Sequence, residues 1–449
     1  MKKLTLVLAL ILSLSLWAFA QDESAPEGSS GTSAVAGEAA KAFGASMMGG
    51  LGITTIDGKL YCRVQLVPEL AFGKFGMGVD ADLLFNDKGI RKEDWKPASR
   101  WVRIIRYLRY GQKHDNFYAR LGALDAATLG HGSLMYRYSN RIDDVERKIG
   151  LEFDADFGMF GMESVVSTFG RAEIYGGRGY VRPLKTTEIP VIKNFEVGLS
   201  AATDVDPDQN RGTKEKVGVY GFDLGLPLIN TSLLYTTLYY DFGKIDKLGS
   251  GSVVGVSTDI HLPGGIVDLG AKLEQRFLGK KFVSQYFDWF YEFERCQTYA
   301  GPAGAYNIYK SDVVAAIDAA KNGTYGELVA NVIGKFVVTG SYQYTYKTPK
   351  SGILHFETDL SKLVPKAELR AAYDQKGVGE PKDMFRMDEH FLVTVEGGYE
   401  VYSHVMLYIT YLRTYERRTQ DKDDSGVLLP PYYKAVEKFS PRVAVKFNF

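Results

Sequence analysis

From Lys148 to Phe157 every second residue is apolar. Ile149, Leu151, Phe153, Ala155 and Phe157 fall on one face of an extended chain, and Gly150, Glu152, Asp154 and Asp156 fall on the other. Phe75–Phe85 repeats the pattern, with Met77, Val79, Ala81 and Leu83 opposite Gly78, Asp80 and Asp82. In Val267–Arg276, Val267, Leu269, Ala271 and Leu273 oppose Asp268, Gly270, Lys272, Glu274 and Arg276. A period of two is the strand period. A face with so many charges cannot be pressed between two sheets, so water must reach it. A soluble sandwich would alternate too, but over strands of about 5–6 residues. Many runs here reach about ten, the length a tilted strand needs to cross a bilayer.

The start of the chain sets the compartment. Met1-Lys2-Lys3 is a positive lead. Leu4–Trp17 is apolar except for Thr5, Ser13 and Ser15, and Ala18-Phe19-Ala20 is a small-x-small cleavage site. This predicts a secretory signal peptide over 1–20. No cysteine follows the site, which speaks against a lipoprotein. After Ala20 no apolar run of about 18 residues occurs, so a helix does not span the membrane. Only helices and closed barrels satisfy their backbone groups in lipid. An exported chain with two-faced strands is therefore expected to close into a transmembrane antiparallel β-barrel.

Residues 21–50, rich in Ser, Gly, Ala and Glu, are expected to form a flexible lead or plug. The barrel is expected over 51–449. Phe72-Gly73-Lys74-Phe75-Gly76 and Phe157-Gly158-Met159-Phe160-Gly161 share one turn device, with glycine for the positive-φ positions. Pro227–Asn230 and Pro263-Gly264-Gly265 are further expected joints. Longer polar stretches lie at 86–99, 125–146, 204–215, 374–388 and 417–440. Short turns facing long loops is the asymmetry of a barrel with a periplasmic and an outer end. Tyr235, Tyr239, Tyr240 and Phe242, then Tyr286, Trp289, Phe290 and Tyr291, then Tyr342, Tyr344 and Tyr346 are expected at the headgroup level. The runs predict 18–20 strands, or 16 if broken strands merge, with a short helical segment near 310–322 placed by parity on the periplasmic side.

The chain closes with Val443, Val445, Phe447 and Phe449 on one face. Here it resembles Gram-negative outer-membrane β-barrel proteins of the porin-like kind, whose last strand alternates and ends in phenylalanine. The resemblance implies that Phe447 and Phe449 belong to a signal read by the barrel assembly machinery. It also makes Gly398–Tyr408 similar to the last periplasmic turn of a general porin.

Candidate functional residues follow from the wet face. Asp80, Asp82, Glu152, Asp154 and Asp156 would make an acidic stripe along a pore. Arg103, Arg109 and Arg120, with Lys272 and Glu274, would line it too. Opposed charge rows orient polar solutes, and the same charges also simply keep a lumen wet. Arg106 breaks the pattern: it falls on the lipid face, where an arginine costs about 2–4 kcal/mol at the midplane. Either it sits near an interface or its segment is not a regular strand. Asp204, Asp206, Asp208 and Glu215 have EF-hand ligand spacing for calcium, although Gln209 stands where the loop needs glycine. Asp421–Gly426 carries a partial version. Such runs are more often solvated acidic loops, and no other cofactor is expected. Cys62 and Cys296 would meet an oxidising compartment, so a disulfide and two lone thiols are both open.

Six histidines lie in no catalytic motif, so no enzyme activity is expected. The balance of 54 basic and 54 acidic residues argues against a nucleic-acid partner. The expected partners are outer-membrane lipids, lipopolysaccharide, the assembly machinery and small solutes; a homo-oligomer is open. The leading expectation is an outer-membrane channel for passive diffusion of small hydrophilic solutes. One alternative is a channel for hydrophobic compounds with the apolar lead Ala39–Met48 as a plug. The other is a structural or surface-interaction barrel with a closed lumen.

Overall fold

The computed structural model describes residues 43–448 except 57–58, 92–103, 114, 141–147, 170–172, 211–212, 302–303, 362, 386–390 and 419–431. The expected signal peptide over 1–20, Arg103, the acidic run at 421–426 and Phe449 lie outside the described residues. In chain order the wall begins with β1 (Phe43–Ile56), β2 (Lys59–Phe72) and β3, which runs Phe75–Val79 and resumes at Ala81–Asn86. Then come β4 (Ile105–Tyr110), β5 (Phe117–Gly122), β6 (Gly150–Asp156), β7 (Phe160–Val166) and β8 (Ile174–Val181). β9 (Glu196–Asp204), β10 (Val217–Asn230), β11 (Leu234–Ile245), β12 (Ser250–His261) and β13 (Val267–Leu278) follow. The circuit ends with β14 (Lys321–Val332), β15 (Phe336–Thr345), β16 (Gly352–Asp359), β17 (Ala367–Val378), β18 (Phe391–Tyr402), β19 (Val405–Arg418) and β20 (Tyr432–Asn448).

Every neighbour is antiparallel, and β1 pairs with β20 from Ser46↔Asn448 to Gly52↔Arg442, which closes the cylinder. Both halves of β3 pair with β2, so they are one wall strand and the barrel has 20. That lies inside the expected 18–20; a merged count of 16 is not found. β1 starts at Phe43, so Phe43–Met48 of the expected lead are wall rather than plug.

Closely spaced strand ends gather at one end of the cylinder, with the chain's C-terminus. Gly73-Lys74 joins β2 to β3 and Gly158 sits in the β6–β7 turn, with φ of 53° and 85°. That end carries an aromatic belt made by the repeated turn device. Phe75 and Tyr110 are 5.0 Å apart, Phe117 and Phe157 5.7 Å, and Phe157 and Phe160 5.0 Å. Near the other end Phe222 stacks on Phe242 at 5.5 Å, and Tyr344 meets Tyr346 on the outer face. Pro227–Asn230 is not a turn: β10 runs through it with a register shift between Pro227 and Ile229.

The two longest connections, residues 123–149 and 279–320, sit at the loop end. The first joins β5 to β6 and the second joins β13 to β14. The helix expected near 310–322 is Lys310–Ala315, and it belongs to this second loop. It is therefore on the side opposite to the one that parity gave.

Candidate functional site

A wide barrel lined with charge should hold water, yet the largest apolar core of this chain lies inside it. Leu124, Ala127, Leu129, Leu134, Met135 and Tyr138 of the first loop pack with Phe282, Tyr286, Phe287, Tyr291 and Val314 of the second. Both rest on an apolar patch of inner wall made by Val165, Ile174, Ala202, Val217, Val219 and Ile245. The loops are joined by a parallel bridge between Met135 and Phe287. The wall leaves room for them at glycines. A Cβ at Gly176 would come within 2.9 Å of Leu129, and one at Gly243 within 2.8 Å of Leu134. Tyr286, Phe290 and Tyr291 are thus core residues of a folded-in loop, not members of a lipid girdle, and the Trp289 ring lies tilted against His355 inside the barrel at 3.9 Å. Tyr239 also points inward, donating to Glu274 at 2.8 Å.

Charge holds the first loop along the wall. Gly130 N–H donates to Glu163 on β7 at 2.7 Å, and Lys272 on β13 donates to the His131 carbonyl at 2.5 Å. His131 Nδ1 is 2.9 Å from Asp241 on β11. Tyr136 donates to Glu327 on β14 at 2.7 Å. Arg137 lies 3.2 Å from the same Glu327 and 3.2 Å from His355 on β16, with Trp289 beneath its guanidinium. Tyr138 donates to Glu292 of the second loop.

The second loop is anchored by a buried ion cluster. Arg295 Nη1 is 2.6 Å from Glu173 and 3.0 Å from Glu292, and its Nη2 is 2.7 Å from Asp204. Lys148 bridges Glu173 and Glu292 at 2.9 and 2.7 Å. Burial raises the pKa of Glu173, but Lys148 and Arg295 outweigh it and hold the carboxyl at about 2. Burial likewise opposes ionisation of Glu294, and Lys376 and Lys310 bring it to about 2.

The opposite arc, β17–β20 with β1–β4, differs. Most of its inward charges pair within the wall: Arg370 with Asp359 at 3.1 Å, Arg442 with Glu396 at 2.7 Å, Lys446 with Glu368 at 2.6 Å, and Arg63 with Asp82 at 2.8 Å; Lys376, near the loop end of β17, meets Asp288 and Glu294 of the second loop instead. Several of these stay wet. Arg370 and Lys446 keep 33% and 27% of their side-chain exposure, while Arg442 of the same arc keeps 6%; Arg137 and Arg295 under the loops keep 6% and 1%. Thr394, on the same face of β18 as Glu396, is exposed. The lumen is asymmetric: the inserted loops pack along most of the wall, and the more exposed inward charges lie along β17–β20 and β1–β4.

The sequence-derived residues fall on both sides of this division. Asp80 accepts from Gln65 at 3.2 Å, and Asp82 pairs with Arg63 in the hydrated arc. Glu152 and Asp154 share Lys113 at 2.7 and 2.9 Å, and Asp156 meets Arg182 at 2.8 Å. Lys272 and Glu274 face one another at 3.2 Å under the first loop. Arg109 and Arg120 are cross-strand neighbours, and Arg120 pairs with Asp125 at 2.6 Å. So the acids form no continuous free stripe; each of Asp82, Glu152, Asp154, Asp156 and Glu274 has a cation. Arg106 is the extra residue where the β3–β4 register shifts, between Gly78↔Tyr107 and Val79↔Ile105. The bulge lets it reach Glu69 at 3.8 Å. Its segment is not a regular strand, which removes the cost of a lipid-facing arginine.

At the calcium-like spacing, Asp204 is buried against Arg295 and Tyr291. Asp206 and Asp208 accept the Asn210 N–H at 2.8 and 3.0 Å, and Glu215 is exposed. Among the described residues no three such side chains converge as a metal site. Cys62 is exposed on the outer face of β2 and Cys296 stands in the second loop; no disulfide joins them. Arg137, Arg295 and the apolar loop core were not marked by the alternation, because they lie in loops where period two does not apply.

No protein-family model and no curated protein matches the chain. Solved structures similar to it include CdiB from Acinetobacter baumannii, 8% identical, covering 90% of this chain and 60% of that one, with a TM-score of 0.27. The outer membrane protein OpdK from Pseudomonas aeruginosa is 10% identical, covering 91% and 99%, with a TM-score of 0.30. The siderophore receptor PirA from Pseudomonas aeruginosa is 8% identical, covering 90% and 80%, with a TM-score of 0.36. Likeness at this level decides nothing about activity. The surface of the cylinder decides its setting: Leu51, Leu199, Leu273, Leu328 and Ile409 are exposed outside, while the ion pairs lie on the inner side. Backbone closure with that polarity suits lipid around and water within.

The chain is an outer-membrane β-barrel. Its short-turn end is then periplasmic and its two inserted loops enter from outside. Val443, Val445 and Phe447 of the barrel's last strand share the outer face.

Proposed function

We propose that this barrel is a channel for passive diffusion of small hydrophilic solutes, with the path confined to the hydrated arc β17–β20 and β1–β4. The observation that carries this reading is the contrast between the two arcs. One wall is sealed by loops that bury its charges. The other keeps paired charges at hydrogen-bonding positions, Arg370, Lys446 and Arg63 among them partly exposed, which is what a selective wet path needs. The loops would set the bore, and the wall would supply no chemistry beyond hydration and charge. Phe43–Met48 form wall, which removes that stretch from any plug and favours this reading over a channel for hydrophobic compounds.

Planar-bilayer recording of the full barrel tests it. Small, ohmic, stepwise conductance is expected. Replacing residues 126–139 with a short link should raise the step several-fold, because that loop fills the lumen beside the path. A barrel that is silent both with and without the loop would be a closed structural cylinder.

A further inference from the structure

One patch of the hydrated arc does more than pair charge with charge. In the β4–β5 register Arg109 stands directly opposite Arg120, and both point inward. Like charges directly opposed on adjacent strands destabilise a sheet, so such a pair needs negative charge nearby. Arg120 has it in Asp125 at 2.6 Å, and it also donates to the Ala123 carbonyl at 3.0 Å. Arg106 has Glu69 only at 3.8 Å, and that carboxylate already accepts from Tyr107 at 2.6 Å. Arg109 donates to the Gly111 carbonyl at 3.2 Å, and among the described residues no carboxylate pairs with it.

Nor is Arg109 a loose surface side chain. It lies flat over Gly76 on β3, where a Cβ would stand 3.2 Å from both Nε and Nη2. Tyr107 lies the same way across Gly78, and Arg120 sits 4.9 Å over the Tyr107 ring. Two glycines on one strand therefore let an arginine and a tyrosine lie against the wall, one residue above the periplasmic turn at Gly111.

We propose that Arg109, flanked by Arg120 and Arg106, is an anion subsite at the periplasmic mouth that takes the carboxylate or phosphate group of a small solute. A guanidinium presents a planar fork that matches either group through paired hydrogen bonds. The partial exposure of Arg109 lets the anion exchange with water. This deepens the channel reading and rests on it, since a solute must reach the mouth.

Calorimetric titration of inorganic phosphate, and separately of acetate, into the full-length detergent-solubilised barrel reads the site without requiring current. Wild type is expected to bind both. Arg109→Gln should weaken binding at least about tenfold. Arg109→Lys should fall between, keeping charge but losing the fork. Asp125→Asn, which strips Arg120 of its acid, should tighten binding. Heat-dependent gel mobility confirms that each variant is a closed barrel. Absence of binding to wild type, or equal binding by wild type and both Arg109 variants, overturns the subsite. Binding without current would count against the channel alone, and current without binding against the subsite alone.

Discussion

Arg295 Nη1 stands 2.6 Å from Glu173 Oε2, tying the middle of one inserted loop to the rim of β8. Asp204 and Glu292 complete the cluster round the same guanidinium, and all four side chains are almost fully buried. A cation under three carboxylates is costly to remove, because the anions stay buried without it.

Arg295→Met should therefore unseat the second loop at a cost of about 3–5 kcal/mol. Limited proteolysis of the folded barrel checks this: cleavage within 279–320 should accelerate while the strands stay protected. Unchanged cleavage would show that apolar packing alone holds the loop.

Gly243→Leu should act on the first loop instead. A Cβ at Gly243 would lie 2.8 Å from Leu134 and 3.1 Å from Phe282, so a larger side chain must push them away. Overpacking costs about 1–3 kcal/mol. The expected result is a barrel that still closes, judged by heat-dependent mobility, with a larger conductance step.

Acid should not open the loops under mild conditions. Glu173 and Glu294 are held at about 2, below the ordinary 4.5, by lysine and arginine partners that outweigh burial. Carboxyls lowered in the folded state stabilise it above their unfolded value and lose that contribution only as pH falls toward the folded one. The contribution of Glu173 and Glu294 to loop seating should thus be constant above about pH 5 and weaken between about 4.5 and 2. Conductance or protease sensitivity against pH reads it, and release at pH 6 would contradict it.

Two aspartate and glutamate positions should separate the arcs. Asp82→Asn removes the carboxylate charge beside Arg63 in the hydrated arc and should move the reversal potential toward anions. Glu274→Gln lies under the loop, and should cost stability while leaving selectivity near wild type. Equal shifts from both would erase the distinction between a wet and a covered wall.

Cys62 and Cys296 should stay reduced and unlinked. Gel mobility of the unfolded chain should be the same with and without reductant, and a lipid-borne nitroxide should quench a fluorophore on Cys62. Faster migration without reductant would place both thiols on one side of the wall.

The sequence by itself determined the wall. Alternation along Leu151–Asp156, the Phe-Gly turns and the last strand ending at Val443, Val445 and Phe447 all follow from period two and from lipid demanding an apolar face. It also put Glu152, Asp154 and Lys272 on the inner side. Only the tertiary structure decided what that inner side meets. Residues 123–149 and 279–320 lie far apart in the chain, and nothing local to either makes them fold inward; Met135 becomes buried only when Phe287 and the Val217–Val219 patch arrive from elsewhere. The same holds for charge. An aspartate in a strand has a direction fixed by its neighbours, but whether it faces water or Lys113 depends on a residue that the β4–β5 turn sets beside it once β5 and β6 pair.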